Sequence, residues 1–121
     1  MAGILVVEDD SDLREMISRS LQKRGEHMVL EASNGREALK KFKSILVDMV
    51  ITDIVMPDLD GIGLIMELKK LKSNLKIIAI SGGGKIGPTN YLNIAETMGA
   101  EAVFTKPFSI KALLEKVEEL L

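Results

Sequence analysis

Five short apolar runs punctuate the chain, and between them apolar residues recur at helical spacing. The runs Gly3 to Val7, His27 to Glu31, Asp48 to Thr52, Lys76 to Ile80 and Ala102 to Thr105 read as strands. After the first, Leu13, Ile17 and Leu21 repeat at i, i+4 and i+8, and Gly25 closes that helix. Asn34 suits the N-cap of a second helix that buries Ala38, Leu39 and Phe42. A third helix follows Gly61 and buries Ile62, Ile65, Met66 and Leu68. A glycine-rich stretch, Ser81-Gly82-Gly83-Gly84-Lys85-Ile86-Gly87, precedes Pro88, which fits the first turn of a fourth helix ending near Gly99. Ser109 caps a fifth, whose apolar residues are Ile110, Leu113, Leu114, Val117, Leu120 and Leu121. Strand and helix patterns alternate throughout, the signature of βαβ units around a parallel sheet. Asp48 to Thr52 is apolar apart from its ends, as a central strand buried on both faces should be.

If the strands are parallel, their carboxyl ends lie on one edge, where open α/β sheets bind ligands. Glu8, Asp9 and Asp10 follow the first strand, Asp53 the third, Ser81 the fourth and Lys106 the fifth. Acids crowded this closely repel one another unless a cation neutralises them, and an all-oxygen site suits Mg²⁺, a hard ion that keeps several waters. Taken alone, Glu8-Asp9-Asp10 is an ordinary solvated or helix-capping cluster, and Asp10 is best explained that way. Its conjunction with Asp53 is what points to a cation. A carboxylate held at a strand end can attack phosphorus, and phosphoryl transfer mostly needs positioning and charge neutralisation. Lys106 offers the ammonium, and Ser81 a hydroxyl for a phosphoryl oxygen. Either would read as a plain surface or strand-end residue without this placement.

At 121 residues the chain has the length of one domain, spanning 1–121. Its formal charge of -2 supplies no basic field for direct nucleic-acid binding. With no Cys, disulfides and thiolate metal sites are excluded. No apolar stretch approaches a membrane span, and no cationic segment leads into a long apolar one, so the chain reads as cytoplasmic. Aromatic residues are only 3%, so the core must be aliphatic, with seven Met as adaptable filler.

These residues strongly resemble the receiver domain of two-component response regulators. The resemblance is carried by Ile4-Leu5-Val6-Val7-Glu8-Asp9-Asp10, by Asp53 with Met56-Pro57 and Asp60-Gly61, by Ser81, and by Lys106-Pro107-Phe108. It implies a flavodoxin-like, doubly wound sheet of order 2-1-3-4-5 with five helices. It also implies that Asp53 is the phosphoacceptor, that Asp9 and Asp53 ligate Mg²⁺ directly, and that Glu8 acts through water. The backbone carbonyl of Val55 would be a further metal ligand. Ser81 matches the switch hydroxyl, Lys106 the phosphate-pairing lysine, and Lys106-Pro107 a bond that is usually cis in the family. The implied partners are a histidine kinase or phosphotransfer protein and an output protein or domain of unknown identity. The only chemistry would be the chain's own phosphorylation and dephosphorylation.

Two departures from the family pattern stand out. Val103 occupies the position three before the lysine where a Tyr or Phe ring often turns inward on activation, with Phe104 beside it. The loop after Ser81 is also rich in glycine, which suits either a floppy connection or a hinge that orders on phosphorylation. Ser81-Gly82-Gly83-Gly84-Lys85 is no nucleotide-binding loop, because Ile86 stands where a Ser or Thr should hold Mg²⁺. An aspartate-nucleophile phosphatase or hydrolase stays open as an enzyme reading, although Val55 lies where such families usually place a second acid. A phosphorylation-independent interaction domain is the other alternative.

Overall fold

The computed structural model describes residues 2–25, 27–54, 61–81 and 99–121. Its elements in chain order are β1 (Gly3–Val7), α1 (Ser11–Arg24), β2 (Met28–Ala32), α2 (Gly35–Ser44), β3 (Met49–Asp53), α3 (Gly61–Leu71), β4 (Lys76–Ser81), β5 (Ala102–Thr105) and α4 (Ile110–Leu120). The helix expected from Pro88 to near Gly99 lies outside the described residues up to residue 98. The strands form one parallel sheet in the order β2-β1-β3-β4-β5, as the sequence leads one to expect.

Alternation along each strand fills both faces. Ile4, Val6, Met49, Ile51, Ile78 and Ile80 point to one side, where Ile17 and Leu21 of α1 and Leu113, Leu114 and Val117 of α4 cover them. Leu5, Val7, Val50, Ile77 and Ala79 point to the other, against Ala38 of α2 and Leu64, Ile65 and Leu68 of α3. Chain direction explains the division. The step from β1 to β2 runs one way along the sheet and the steps from β2 to β3 to β4 run the other, so right-handed crossovers put α1 opposite α2 and α3. The reversal falls between β1 and β3, and there the site lies.

Three local expectations shift. The second and third strands begin and end one residue later than the pattern suggests. His27 instead sets its Nε2 3.0 Å from Glu118 Oε1, and Asp48, whose amide donates to the Gly3 carbonyl at 2.8 Å, also accepts a 2.8 Å hydrogen bond from the Gly3 amide on its side chain, so both sit at the sheet's rim. On α3 the inward face is Gly61, Leu64, Ile65 and Leu68, spaced i, i+3, i+4 and i+7. Met66, expected inside, points outward at 43% exposure, because that stripe leaves it on the far side. The caps hold as expected. Asn34 Oδ1 accepts from the Glu37 amide at 2.8 Å and Ser109 Oγ from the Ala112 amide at 3.2 Å.

Candidate functional site

The site is assembled from the ends of four strands. Past Val7 the Glu8 amide makes a last ladder-like bond to the Ala32 carbonyl at 3.0 Å. The Glu8 side chain then turns inward, 2% exposed, while Asp9 stays exposed. Asp10 leaves the cluster to cap α1, accepting from the Asp12 and Leu13 amides at 3.0 and 3.3 Å. Asp53 ends β3 at 5% exposure, with its Cα paired to Ile80, so β4 fixes its backbone. Ser81 ends β4, fully buried. The Lys106 amide donates to the Ser81 carbonyl at 2.7 Å, rooting the lysine beside β4. The Lys106-Pro107 bond is cis.

One ammonium binds the acids together. Lys106 Nζ donates to Asp53 Oδ2 at 3.1 Å and lies 3.0 Å from Glu8 Oε1 as an ion pair. The other Glu8 oxygen, Oε2, accepts the Asp10 amide at 3.0 Å. Burial is the main reason the Glu8 carboxyl is pushed up to about 7; the Asp10 amide and Lys106 oppose the rise, and the charge of Asp53 adds to it. For Lys106, burial pulls the other way, but Glu8 and Asp53 outweigh it and hold the ammonium above its ordinary range. Among the described residues Ser81 Oγ has no hydrogen-bond partner although buried. A buried hydroxyl in that state carries a desolvation penalty that an incoming acceptor would relieve.

Oxygens of Glu8, Asp9 and Asp53 all lie within 4.8 Å of one another. Among the described residues, three carboxyl groups share one ammonium, and a site of oxygen donors fits a hard divalent cation such as Mg²⁺. The residues present therefore fit the metal that the sequence implied. The Val55 carbonyl, Met56-Pro57 and the glycines at 82, 83, 84 and 87 lie outside the described residues.

The structure brings together Glu8, Asp9, Asp53, Ser81 and Lys106, the residues singled out in the sequence. It also separates two that the sequence left side by side. Val103 packs on the α2 and α3 side of the sheet, whereas Phe104 packs on the α1 and α4 side. There the Phe104 ring sits 6.0 Å from that of Phe108, tilted by 55°. Phe104 is thus on the wrong face to replace a ring at position 103.

Gly61 carried part of the resemblance without a role of its own, and Arg14 and Glu31 carried no sequence signal. Gly61 donates its amide to the Ile54 carbonyl at 2.7 Å, and a Cβ there would stand 2.3 Å from the Asp53 carbonyl oxygen. The start of α3 is therefore pressed directly against the backbone that carries Asp53. Arg14 Nη1 donates to the Glu8 carbonyl at 2.8 Å and its Nε to Glu31 Oε1 at 3.1 Å. In a single sequence both look like ordinary solvated charges.

Compared with known protein families, residues 4–118 match the response regulator receiver domain. The chemotaxis protein CheY of Bacillus subtilis is 36% identical over 118 residues, 98% of this chain and 96% of that protein. The response regulator receiver protein CpdR of Brucella abortus is 34% identical over 122 residues, 100% of this chain and 98% of that protein. Among solved structures, the response regulator protein TrrA from Thermotoga maritima, in complex with Mg²⁺-BeF, has a TM-score of 0.86 at 36% identity and covers 100% of both chains.

Proposed function

The chain belongs to the response regulator receiver domain family, and from that premise we propose that it is a signalling module switched by phosphorylation of Asp53. The donor is a phosphohistidine on a histidine kinase or phosphotransfer protein. A carboxylate oxygen of Asp53 attacks phosphorus, the P–N bond breaks, and the imidazole nitrogen departs with the bonding pair. The observation that carries this reading is the convergence on Asp53. Its Oδ2 accepts from Lys106 Nζ at 3.1 Å, and Glu8 and Asp9 oxygens lie within 4.8 Å.

Asp9 and Asp53 would hold Mg²⁺ directly, with Glu8 through water and the Val55 carbonyl as a further ligand. When bound, the metal supplies charge neutralisation for the incoming phosphoryl oxygens. Lys106 adds a second positive charge from the opposite strand and orients the Asp53 carboxylate. Ser81 Oγ, without a partner among the described residues, donates to a phosphoryl oxygen and so couples the event to the end of β4 and the chain that follows it. Water attack on the acyl phosphate later returns the carboxylate and releases phosphate.

Intact mass after incubation with Mg²⁺ and a small phosphodonor tests the reading. One phosphoryl group should be gained by the native chain and none by Asp53→Asn. Undiminished labelling of that variant, or turnover of a small phosphorylated metabolite that persists in it, would overturn it.

A further inference from the structure

Asp9 is exposed, yet the functional reading asks its carboxylate to meet Asp53 across the mouth of the pocket. The direction of its side chain follows from the orientation of the peptide joining Glu8 to Asp9, the first peptide beyond the β1 ladder. Among the described residues one side chain grips the carbonyl of that peptide, and it comes from α1. Because Asp10 caps the helix, the Arg14 amide makes the first helical bond, to the Asp10 carbonyl at 2.9 Å. The Arg14 side chain then folds back over the turn, and Nη1 donates to the Glu8 carbonyl at 2.8 Å. Nε is held by Glu31 Oε1 at 3.1 Å, and Lys41 Nζ donates in turn to the Glu31 carbonyl.

We propose that Arg14 is a positioning residue for the cation site, fixing the Glu8–Asp9 peptide so that Asp9 faces Asp53, and that Glu31 is its anchor. The proposal rests on the reading that Glu8, Asp9 and Asp53 take Mg²⁺. A guanidinium next to the acids would, by charge alone, repel a divalent ion and weaken its binding. Glu31 removes that objection, because the pair is neutral as a whole and leaves the hydrogen bond to the peptide as the net effect. The planar fork matters as well. Two different nitrogens of one rigid group bind two partners, which a lysine ammonium cannot reproduce with the same geometry. Partners one layer outside the ligands commonly set metal affinity in this way, by about 10- to 100-fold.

Calorimetric titration with Mg²⁺ alone, on the intact chain, tests the idea. Arg14→Gln should raise the Mg²⁺ dissociation constant about tenfold, the low end for such partners since both side chains are partly exposed. Arg14→Lys should fall between the two. Glu31→Gln leaves the guanidinium unanchored and its charge unbalanced, and should weaken Mg²⁺ binding as well. The double variant should show less than the combined effect, because both changes break one link. With a small phosphodonor, Arg14→Gln should need more Mg²⁺ for half-maximal labelling yet reach the native rate at saturation. Should Arg14→Gln fold poorly, Glu31→Gln carries the same test. A lower melting temperature with an unchanged Mg²⁺ dissociation constant in both variants would reduce Arg14 to a cross-link between α1 and β2 and overturn the proposal. If the native chain bound no Mg²⁺ at millimolar concentration, the functional reading would fail first and this one with it.

Discussion

Replacing Glu8 by Gln separates the charge of this buried carboxylate from its shape. The group is 2% exposed and titrates near 7 in the folded chain, mainly through burial, against 4.5 for an ordinary glutamate. The folded state therefore keeps a proton that the unfolded chain releases. Its contribution to stability is full below pH 4.5 and is lost as pH rises through about 7. A rise of that size corresponds to about 3 kcal/mol at most. Lys106 beside it is 26% exposed, so water reaches the cluster, and about 1–2 kcal/mol is the expected loss between pH 5 and 8. Glu8→Gln keeps the volume and an acceptor for the Asp10 amide but does not titrate. Its side-chain amide faces the Lys106 ammonium poorly at every pH, an offset that cancels when two pH values are compared. Urea unfolding without divalent ions, at pH 5 and pH 8, gives the stability of each protein at each pH. Relative to the native chain, the variant should gain about 1–2 kcal/mol on going to pH 8. Saturating Mg²⁺ should abolish that gain, since the cation then does the neutralising that the proton did. Parallel stability profiles for the two proteins, or a gain toward low pH, would refute the argument.

Three other changes probe the rest of the site. Native stability should rise on adding Mg²⁺, by about 1.4 kcal/mol at ten times the dissociation constant, and Asp9→Ala should remove most of that increment; thermal melts with and without the ion measure it. Ser81→Ala deletes a buried hydroxyl that has no partner among the described residues, so apo stability should stay level or rise by up to about 1 kcal/mol in urea unfolding, while phosphodonor labelling slows. Gly61→Ala would put a methyl group 2.3 Å from the Asp53 carbonyl oxygen and 2.5 Å from Ile54 Cα, both backbone atoms that cannot step aside. It should destabilise the chain by about 2 kcal/mol or more and weaken Mg²⁺ binding, which calorimetry and unfolding curves check together.

The sequence determined by itself whatever depends on short-range pattern. Short apolar runs such as Met49-Val50-Ile51, bounded by polar residues and alternating with helical patterns, read as strands covered on both faces, and Asn34 and Ser109 cap the helices they precede because their side chains reach amides three residues on. A run of strands separated by helices can only be a parallel sheet with its chemistry at one edge, so Asp53, Ser81 and Lys106 stood out before any coordinates. The tertiary structure decided which of two adjacent residues faces what. Glu8 turns in and Asp9 out, Val103 and Phe104 lie on opposite faces, and Leu64 rather than Met66 is covered, because a period of two or of 3.6 fixes relative directions and not the absolute one. That choice comes from crossover handedness and from where the neighbouring helices settle. Contacts between distant positions were equally out of reach. Arg14 meets Glu31 across 17 residues, and Lys106 meets Asp53 across 53, because α1 crosses the end of β1 and the sheet sets β3, β4 and β5 side by side. Only folding turns those separations into bonds of about 3 Å, and with them into one charged pocket.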